Sequence, residues 1–210
     1  MLAPRTDVLP WDVELAERFD RIAREMEEEH TAVPVVSKSR LEFLFDGVFA
    51  IAMTLLVLEL KVPELVDRLS IVELARGLAH EASTLVSYLI SFVVLGVFWY
   101  RHNHQYHNFR VITRGMLVLH FVQLAAAAFF PFCAAIFGRY PTNALSQIIY
   151  LGCIFVYAWA SLGNWVVAKR SGSTAQLTAA AYRHSRNRSL RMCFIVSALF
   201  AVYIVRAFAN

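Results

Sequence analysis

Long apolar segments alternate with short polar ones through most of the sequence. Five segments reach the ~20 residues that a helix needs to cross a bilayer, and they lie at about 41–60, 82–100, 112–137, 144–168 and 189–209. This pattern predicts an all-α, polytopic membrane helix bundle with five visible transmembrane helices. Pro131 is expected to kink or end the third helix, and Gly138 with Pro141 to form a tight turn before the fourth.

The composition agrees with a membrane protein, because 58% of the 210 residues are apolar and soluble domains lie nearer one half. Cys133, Cys153 and Cys193 all lie inside apolar segments, so we expect packing residues with neither a disulfide framework nor a metal site. No apolar h-region opens the chain, so no cleavable signal peptide is expected.

The charged residues are distributed unevenly. All sixteen Asp and Glu residues lie between Asp7 and Glu81, whereas residues 82–210 carry only basic charges. Placing the N-terminus inside puts fifteen basic residues in the cytoplasm and five outside, so the positive-inside rule predicts a multi-pass protein of the cell (plasma) membrane with a cytoplasmic N-terminus. These loops account for the net charge of +4, and no nucleic-acid partner is expected.

Residues 1–39 are predicted to form a cytoplasmic N-terminal segment that precedes a transmembrane domain at 40–210. Residues 11–30 have the pattern of an amphipathic helix, with Leu15, Phe19, Ile22 and Met26 on one face. The helix could pack on its own bundle, assemble subunits as a short coiled coil, or lie on the membrane surface. Its dense acidic face disfavours the last alternative.

The first apolar segment combines a stripe with an ionisable group. At 100° per residue one side of the helix is apolar except for one hydroxyl, and it carries Gly47, Ile51, Thr54, Leu55 and Leu58. This stripe either packs against lipid and neighbouring helices or lines a central axis in an oligomer. Asp46 projects to another side of the helix, towards neighbouring helices.

A carboxylate inside a membrane normally faces a partner or a water-filled cavity. Arg40, His102 and His120 are candidate partners of Asp46 if the first three helices pack together. His120 could instead bond to a backbone carbonyl. His104 and His107 are interpreted as solvated loop residues, because their spacing has no third ligand and makes a weak metal motif.

The same residues carry a resemblance. The run RLEFLFDGVFAIAMTLLVLEL at 40–60 resembles the first helix of the transmembrane protein 175 family, whose hallmark is R-x-x-x-F-S-D followed by G-V-F-A-I-A-I-T-L-L-V-L. The similarity continues at FWYRH (98–102), FFPF (129–132) and GRY (138–140). It implies a potassium-permeable cation channel, which in bacterial members is a tetramer of a six-helix unit. The resemblance also implies a pore lined by the first helix of each subunit.

The resemblance assigns roles by position. The implied pore constriction is Ile51, Leu55 and Leu58, with Thr54 as a polar ring. An apolar ring of this kind gates by excluding water. The implied inter-helix network is Arg40, Asp46, Trp99, His102 and His120.

This chain departs from the family pattern at three points. Phe45 stands where the motif has Ser, so the network lacks that hydroxyl. His120 stands where Asn is common, and its pairing with Asp46 would make stability or gating sensitive to pH. Only five helices are visible, where the family has six.

The expected function is therefore a potassium-permeable channel, not an enzyme, with no cofactor beyond permeant K⁺. Its expected partners are K⁺ and other monovalent cations, membrane lipids and identical copies in a homotetramer. One alternative is a secondary transporter, which requires an internal repeat and midplane ionisable groups. Another is a proton-conducting channel that uses the Asp46/His cluster. A membrane enzyme built on residues 102–107 lacks a nucleophile or a metal triad.

Overall fold

The structure is a computed structural model of the chain that describes residues 37–64, 66–67 and 69–209, together with the isolated positions 18 and 21. The predicted N-terminal segment 1–39 and its amphipathic helix 11–30 therefore lie almost entirely outside the described residues.

All regular structure in the described part of the chain is helical. The helices are α1 (Lys38–Leu55), a 3₁₀ turn (Leu56–Glu59), α2 (Ile71–His80), α3 (Ala82–His107), α4 (Arg114–Arg139), α5 (Ala144–Arg170) and α6 (Ala179–Ala209). Five of them are long and apolar enough to cross a membrane: α1 with its 3₁₀ turn, α3, α4, α5 and α6. The prediction of an all-α bundle with five visible transmembrane helices is confirmed.

Two helices extend beyond the apolar segments that predicted them. Helix α3 continues to His107 rather than ending near 100, and α6 begins at Ala179 rather than near 189. The start of α6 is stabilised by Thr178, whose Oγ1 accepts a hydrogen bond from the backbone N–H of Ala181 at 3.2 Å. Hydropathy locates the part of a helix that lies in lipid, but it does not detect polar helical turns at either end.

Pro131 does not end the third transmembrane helix, because α4 continues through it to Arg139. Pro131 has no backbone N–H, so the carbonyl of Ala127, four residues earlier, loses its helical donor. Membrane helices tolerate proline because packing on neighbouring helices and local adjustments of the backbone compensate for this loss.

A turn follows α4, as predicted, but it spans Tyr140 to Asn143, with the N–H of Asn143 donating to the carbonyl of Tyr140 at 3.1 Å. Gly138 lies within α4 instead. Asn143 caps α5 by accepting from the N–H of Leu145 at 2.9 Å.

Helix α2 is an element that the hydropathy pattern did not predict. It is a ten-residue helix between the first two membrane helices, and Ser70 caps it by accepting from the N–H of Glu73 at 3.2 Å. Gly77 permits a close approach to the preceding loop, because a Cβ there would lie 2.5 Å from the Cβ of Pro63.

The membrane helices pack mainly with their neighbours: α1 on α3 and α4, α4 on α5, and α5 on α6. Aromatic rings fill the centre, where Phe98 and Tyr157 stack with their centroids 3.8 Å apart. Gly138 allows α3 and α4 to approach closely, since a Cβ there would lie 3.1 Å from the Cα of Thr84. Helix α1 therefore lies at an edge of the bundle, held on one side only.

The start of α1 and the α3–α4 and α5–α6 loops meet at one end of the bundle. Lys38 Nζ donates to the carbonyl of Phe109 at 3.3 Å, and the N–H of Arg110 donates to the carbonyl of Ser173 at 2.9 Å. We call this the basic end, because it carries Lys38, Arg40, Arg101, Arg110, Arg114, Lys169, Arg170, Arg183, Arg186 and Arg188.

Candidate functional site

Helix α1 has one buried face and one uncovered face. The buried face packs into the bundle and consists of Leu41, Phe45, Phe49 and Ala52, with Leu56 from the 3₁₀ turn. On the opposite side Ile51 is 61% exposed, Leu55 42% and Leu58 72%, with Thr54 and Gly47 also exposed. The apolar stripe predicted from the sequence is therefore the face of α1 that its own subunit leaves uncovered.

Leu58 also lies on this face, but its backbone conformation differs from the one that the sequence indicated. The α-helix ends at Leu55 and continues as a 3₁₀ turn, in which successive residues advance by about 120° rather than 100°. The assumption of one regular α-helix through Leu58 is therefore corrected, although the side chain stays exposed.

Thr54 supplies the polar group in the middle of the uncovered face. Its hydroxyl donates to the carbonyl of Ile51 one turn earlier, at 2.8 Å. A hydroxyl has one hydrogen and two acceptor lone pairs. Because the hydrogen is used within the helix, the oxygen presents lone pairs, which suit a cation.

Asp46 lies exposed beside the uncovered face and contacts α3. The indole Nε1 of Trp99 donates to Asp46 Oδ1 at 2.7 Å, a short bond to a charged acceptor of the kind that is stronger than a neutral one. The bond fastens α1 to α3. Arg40 lies exposed six positions earlier, near the start of α1.

His102 and His120 form a second, separate pair. Both rings are buried, and His102 Nε2 lies 3.1 Å from His120 Nδ1. Phe45 stacks on His102 with the ring centroids 3.2 Å apart and the planes 7° from parallel. The structure thus places His120 against His102 rather than against Asp46. Four of the five predicted network residues form two pairs, and Arg40 belongs to neither pair.

Phe45 occupies the position where the sequence motif suggested a lost hydroxyl. Its side chain is 1% exposed and also stacks on Phe49, with the centroids 4.3 Å apart. An aromatic stack therefore stands where a serine hydroxyl was expected, and it holds α1 on α3 through the ring of His102.

Further buried polar pairs, which sequence reasoning missed, join α4 and α5 to α3. Asn164 donates to Gln123 Oε1 at 2.9 Å and to the Tyr106 hydroxyl at 3.3 Å. Gln105 and Ser161 exchange two hydrogen bonds, of 2.7 and 3.0 Å. Amide side chains inside apolar segments were the available signal, because such groups seek partners across helices.

No metal centre is found within the described ranges, where no group of three His, Cys, Asp or Glu side chains is arranged to hold an ion. His104 and His107, the weak metal motif, are both exposed at the end of α3.

The contribution of the Asp46–Trp99 bond can be measured with a matched pair of variants. We expect Trp99→Phe to lower the unfolding free energy by about 1 kcal/mol, because it removes the donor to a charged group. Trp159→Phe is the control, since its Nε1 donates to a neutral Ser197 hydroxyl at 3.2 Å. Thermal unfolding in detergent would show a smaller shift for Trp159→Phe. Equal shifts for Trp99→Phe and Trp159→Phe would contradict the assignment. So would a Trp99→Phe shift that is as large in an Asp46→Asn background as in the wild type.

Five apolar helices joined by buried polar pairs define a polytopic α-helical membrane protein. A family model described as the endosomal/lysosomal potassium channel TMEM175 matches residues 40–131. This range runs from α1 into α4 and contains the uncovered face of α1, the Asp46–Trp99 pair and the His102–His120 pair. This part of the chain is therefore similar to the transmembrane protein 175 family of ion channels.

Two relatives show how far the similarity extends. A potassium channel of Streptomyces collinus is 32% identical over 141 residues, which are 63% of this chain and 65% of that protein. The human endosomal/lysosomal proton channel TMEM175 is 28% identical over 142 residues, which are 63% of this chain and 28% of that protein. The chain thus spans less than two thirds of the length of either relative.

Solved structures agree with the fold. The crystal structure of a lysosomal potassium-selective channel TMEM175 homolog from Chamaesiphon minutus is 27% identical and superimposes with a TM-score of 0.58, over 82% of this chain and 95% of that one. An MtTMEM175 potassium channel variant in complex with a nanobody fusion has 16% identity and a TM-score of 0.63, over 85% and 84% of the chains. The second likeness shows the fold alone.

Proposed function

We propose that the chain is one subunit of a potassium-permeable cation channel in which α1 of each of four copies lines a central pore. The observation that carries this proposal is the uncovered face of α1, which has a cation-compatible oxygen at Thr54. Lipid also covers exposed apolar faces, so exposure alone does not define a pore. The position of α1 at the bundle edge and the similarity of residues 40–131 to a family of potassium channels favour the pore.

The proposed constriction consists of Ile51, Leu55 and Leu58, with Thr54 as a polar ring beside Ile51. A narrow ring of apolar side chains stays dry, and an ion must lose its hydration water to enter it. Widening the ring admits water and opens the path. Selectivity among monovalent cations then depends on the pore diameter and on the Thr54 oxygens, so it should be weaker than in a filter built from backbone carbonyls.

The two polar pairs are proposed to hold α1 in position rather than to carry ions. Trp99 fastens α1 to α3 through Asp46, and the ring of His102, also on α3, anchors the neighbouring Phe45. Both contacts lie off the uncovered face, so the pore surface can stay apolar while the helix remains attached to its subunit.

We further propose a multi-pass plasma-membrane protein with the basic end in the cytoplasm. The loops that the positive-inside rule assigns to the cytoplasm meet at this end of the bundle, with the start of α1 beside them. The polar residues at the other end include Glu59, His80 and Glu81.

A second candidate function, proton conduction, is favoured by the His102–His120 pair and by the human relative, which is named a proton channel. The burial of both rings on the far side of Phe45 argues against this role, because protons need a hydrated path. Coupled transport is disfavoured by the lack of any Asp or Glu after Glu81.

Ion flux from liposomes tests the proposal. The full chain reconstituted in vesicles should release K⁺ down its gradient faster than Na⁺ at both pH 7.5 and pH 5.5, with protein-free vesicles as the control. A K⁺ flux that requires an opposing ion gradient would indicate a transporter. Vesicles that conduct protons but not K⁺ would support the second candidate instead.

A further inference from the structure

A basic cavity lies at the basic end, between α3, α5 and α6. Its volume is about 280 Å³, and its rim carries Arg101, His104, His184 and Arg188. At roughly 30 Å³ for one water molecule, the cavity can hold a small anionic group together with several waters. Its lining includes neither Trp99 nor His102, the residues of α3 that hold α1.

The floor of the cavity is polar and preorganised. Gln105 and Ser161 are buried there and hold each other through two hydrogen bonds. Ser189, also buried, accepts a hydrogen bond from Arg101 Nη2 at 3.2 Å. This bond uses one of five guanidinium donors in a planar fork, so Arg101 is held in place with donors left for a ligand.

The helices that form the cavity bring no negative charge to it. Every Asp and Glu of the chain lies at or before Glu81. Glu81 itself precedes α3, which is 26 residues long, so at about 1.5 Å per residue it lies roughly 30 Å from Arg101. Two arginines therefore share a cavity to which α3, α5 and α6 supply no carboxylate.

The surroundings are those of a membrane interface. Exposed Tyr100 and buried Trp165 line the same cavity, and aromatic rings of this kind collect at the level of lipid headgroups. Basic pockets between transmembrane helices on the cytoplasmic side bind acidic headgroups. Arginine forks suit phosphate because two N–H groups can bind two of its oxygens.

We propose that this cavity binds a phosphate group through Arg101 and Arg188, with an anionic phospholipid or free inorganic phosphate as its source. The site is independent of the pore: it lies on the side of α3 that faces α5 and α6, and its occupation does not require ion conduction.

The test compares two double variants of the full chain that lose equal charge. Arg101→Gln with Arg188→Gln alters the cavity, whereas Arg114→Gln with Arg183→Gln alters exposed arginines of the basic end that do not line it. Native mass spectrometry in detergent, with phosphatidylglycerol or phosphatidylcholine added, measures lipid binding. Thermal unfolding in sodium phosphate against sodium chloride of equal ionic strength measures the binding of free phosphate.

We expect the cavity variant, which loses both arginine contacts, to bind phosphatidylglycerol at least about tenfold more weakly, since one charge-assisted contact alone is worth about that much. Phosphatidylcholine binding should not change, and the control variant should behave like the wild type. If the loss appears only as reduced stabilisation by inorganic phosphate, free phosphate is the source. Arg188→Gln alone changes an exposed residue of the rim, and it should show the same loss in part.

Two outcomes would overturn the proposal. One is equal binding of phosphatidylglycerol and of inorganic phosphate by the cavity and control variants. The other is a loss of stability in the cavity variant that is the same with and without either probe. That result would mean that the arginines act only through contacts within the protein, such as the bond of Arg101 to Ser189, and not through a bound phosphate.

Discussion

Replacing Phe45 with Ser, the residue of the family motif, should destabilise this chain by about 3–5 kcal/mol, as for other buried Phe side chains cut to small ones. The ring is 1% exposed and packs between His102 and Phe49. A serine would leave a cavity between α1 and α3, and its hydroxyl would face an aromatic surface. For a chain of this length, the midpoint of thermal unfolding in detergent should fall by on the order of 10 °C.

Two variants serve as controls for this prediction. Phe45→Leu keeps most of the volume and should lose much less stability. Phe43→Ser makes the same chemical change two positions away, at a side chain that is 82% exposed, and should have little effect on the subunit. A Phe45→Ser protein as stable as the wild type would show that the family hydroxyl is tolerated and that the stack is dispensable.

Replacing Ile51 with Asn should raise the K⁺ leak through reconstituted protein on the order of tenfold, which corresponds to a barrier lower by about 1.4 kcal/mol. In the proposed tetramer four amides would replace four apolar side chains at the narrowest ring. Amide oxygens and hydrogens keep water in the ring, so that the ion enters with less dehydration. Potassium efflux from liposomes without any stimulus measures this leak.

The matched control for this variant is Val202→Asn on α6. Val202 is 61% exposed, as is Ile51, and it lies on α6, which packs on α5. It introduces the same amide on an exposed apolar surface and should leave the leak unchanged. Ile51→Val should also leave the K⁺ leak unchanged, because the ring remains apolar. An unchanged leak in Ile51→Asn would count against Ile51 as the constriction.

The helix bundle and the apolar stripe on α1 were predictable from the sequence alone. Apolar segments of membrane length predict helices because a chain in lipid must satisfy its backbone internally. The stripe of Ile51, Thr54 and Leu55 follows from the helical period. The turn at Leu58, the start of α6 and the passage of α4 through Pro131 were not predictable in this way, because each depends on local hydrogen bonds.

The polar contacts show the limit of sequence reasoning most clearly. Asp46, Trp99, His102 and His120 were all predicted to take part in one network. Which of these residues meet depends on how α1, α3 and α4 are rotated about their axes relative to one another. Hydropathy gives no information on these rotations. Phe45 illustrates the same point, since a residue that broke the motif proved to be the contact between α1 and the histidine pair.

The sequence by itself determined that this is an α-helical membrane protein, how many membrane helices are visible, and which residues lie on the uncovered face of α1. Each of these follows from periodicity and from the free energy of placing side chains in lipid. Only the tertiary structure decided that Asp46 pairs with Trp99 and His120 with His102, and that Arg101 and Arg188 share a cavity. Asp46 and Trp99 are 53 positions apart and His102 and His120 are 18 apart. These contacts exist because helix packing brings together side chains that no local pattern relates.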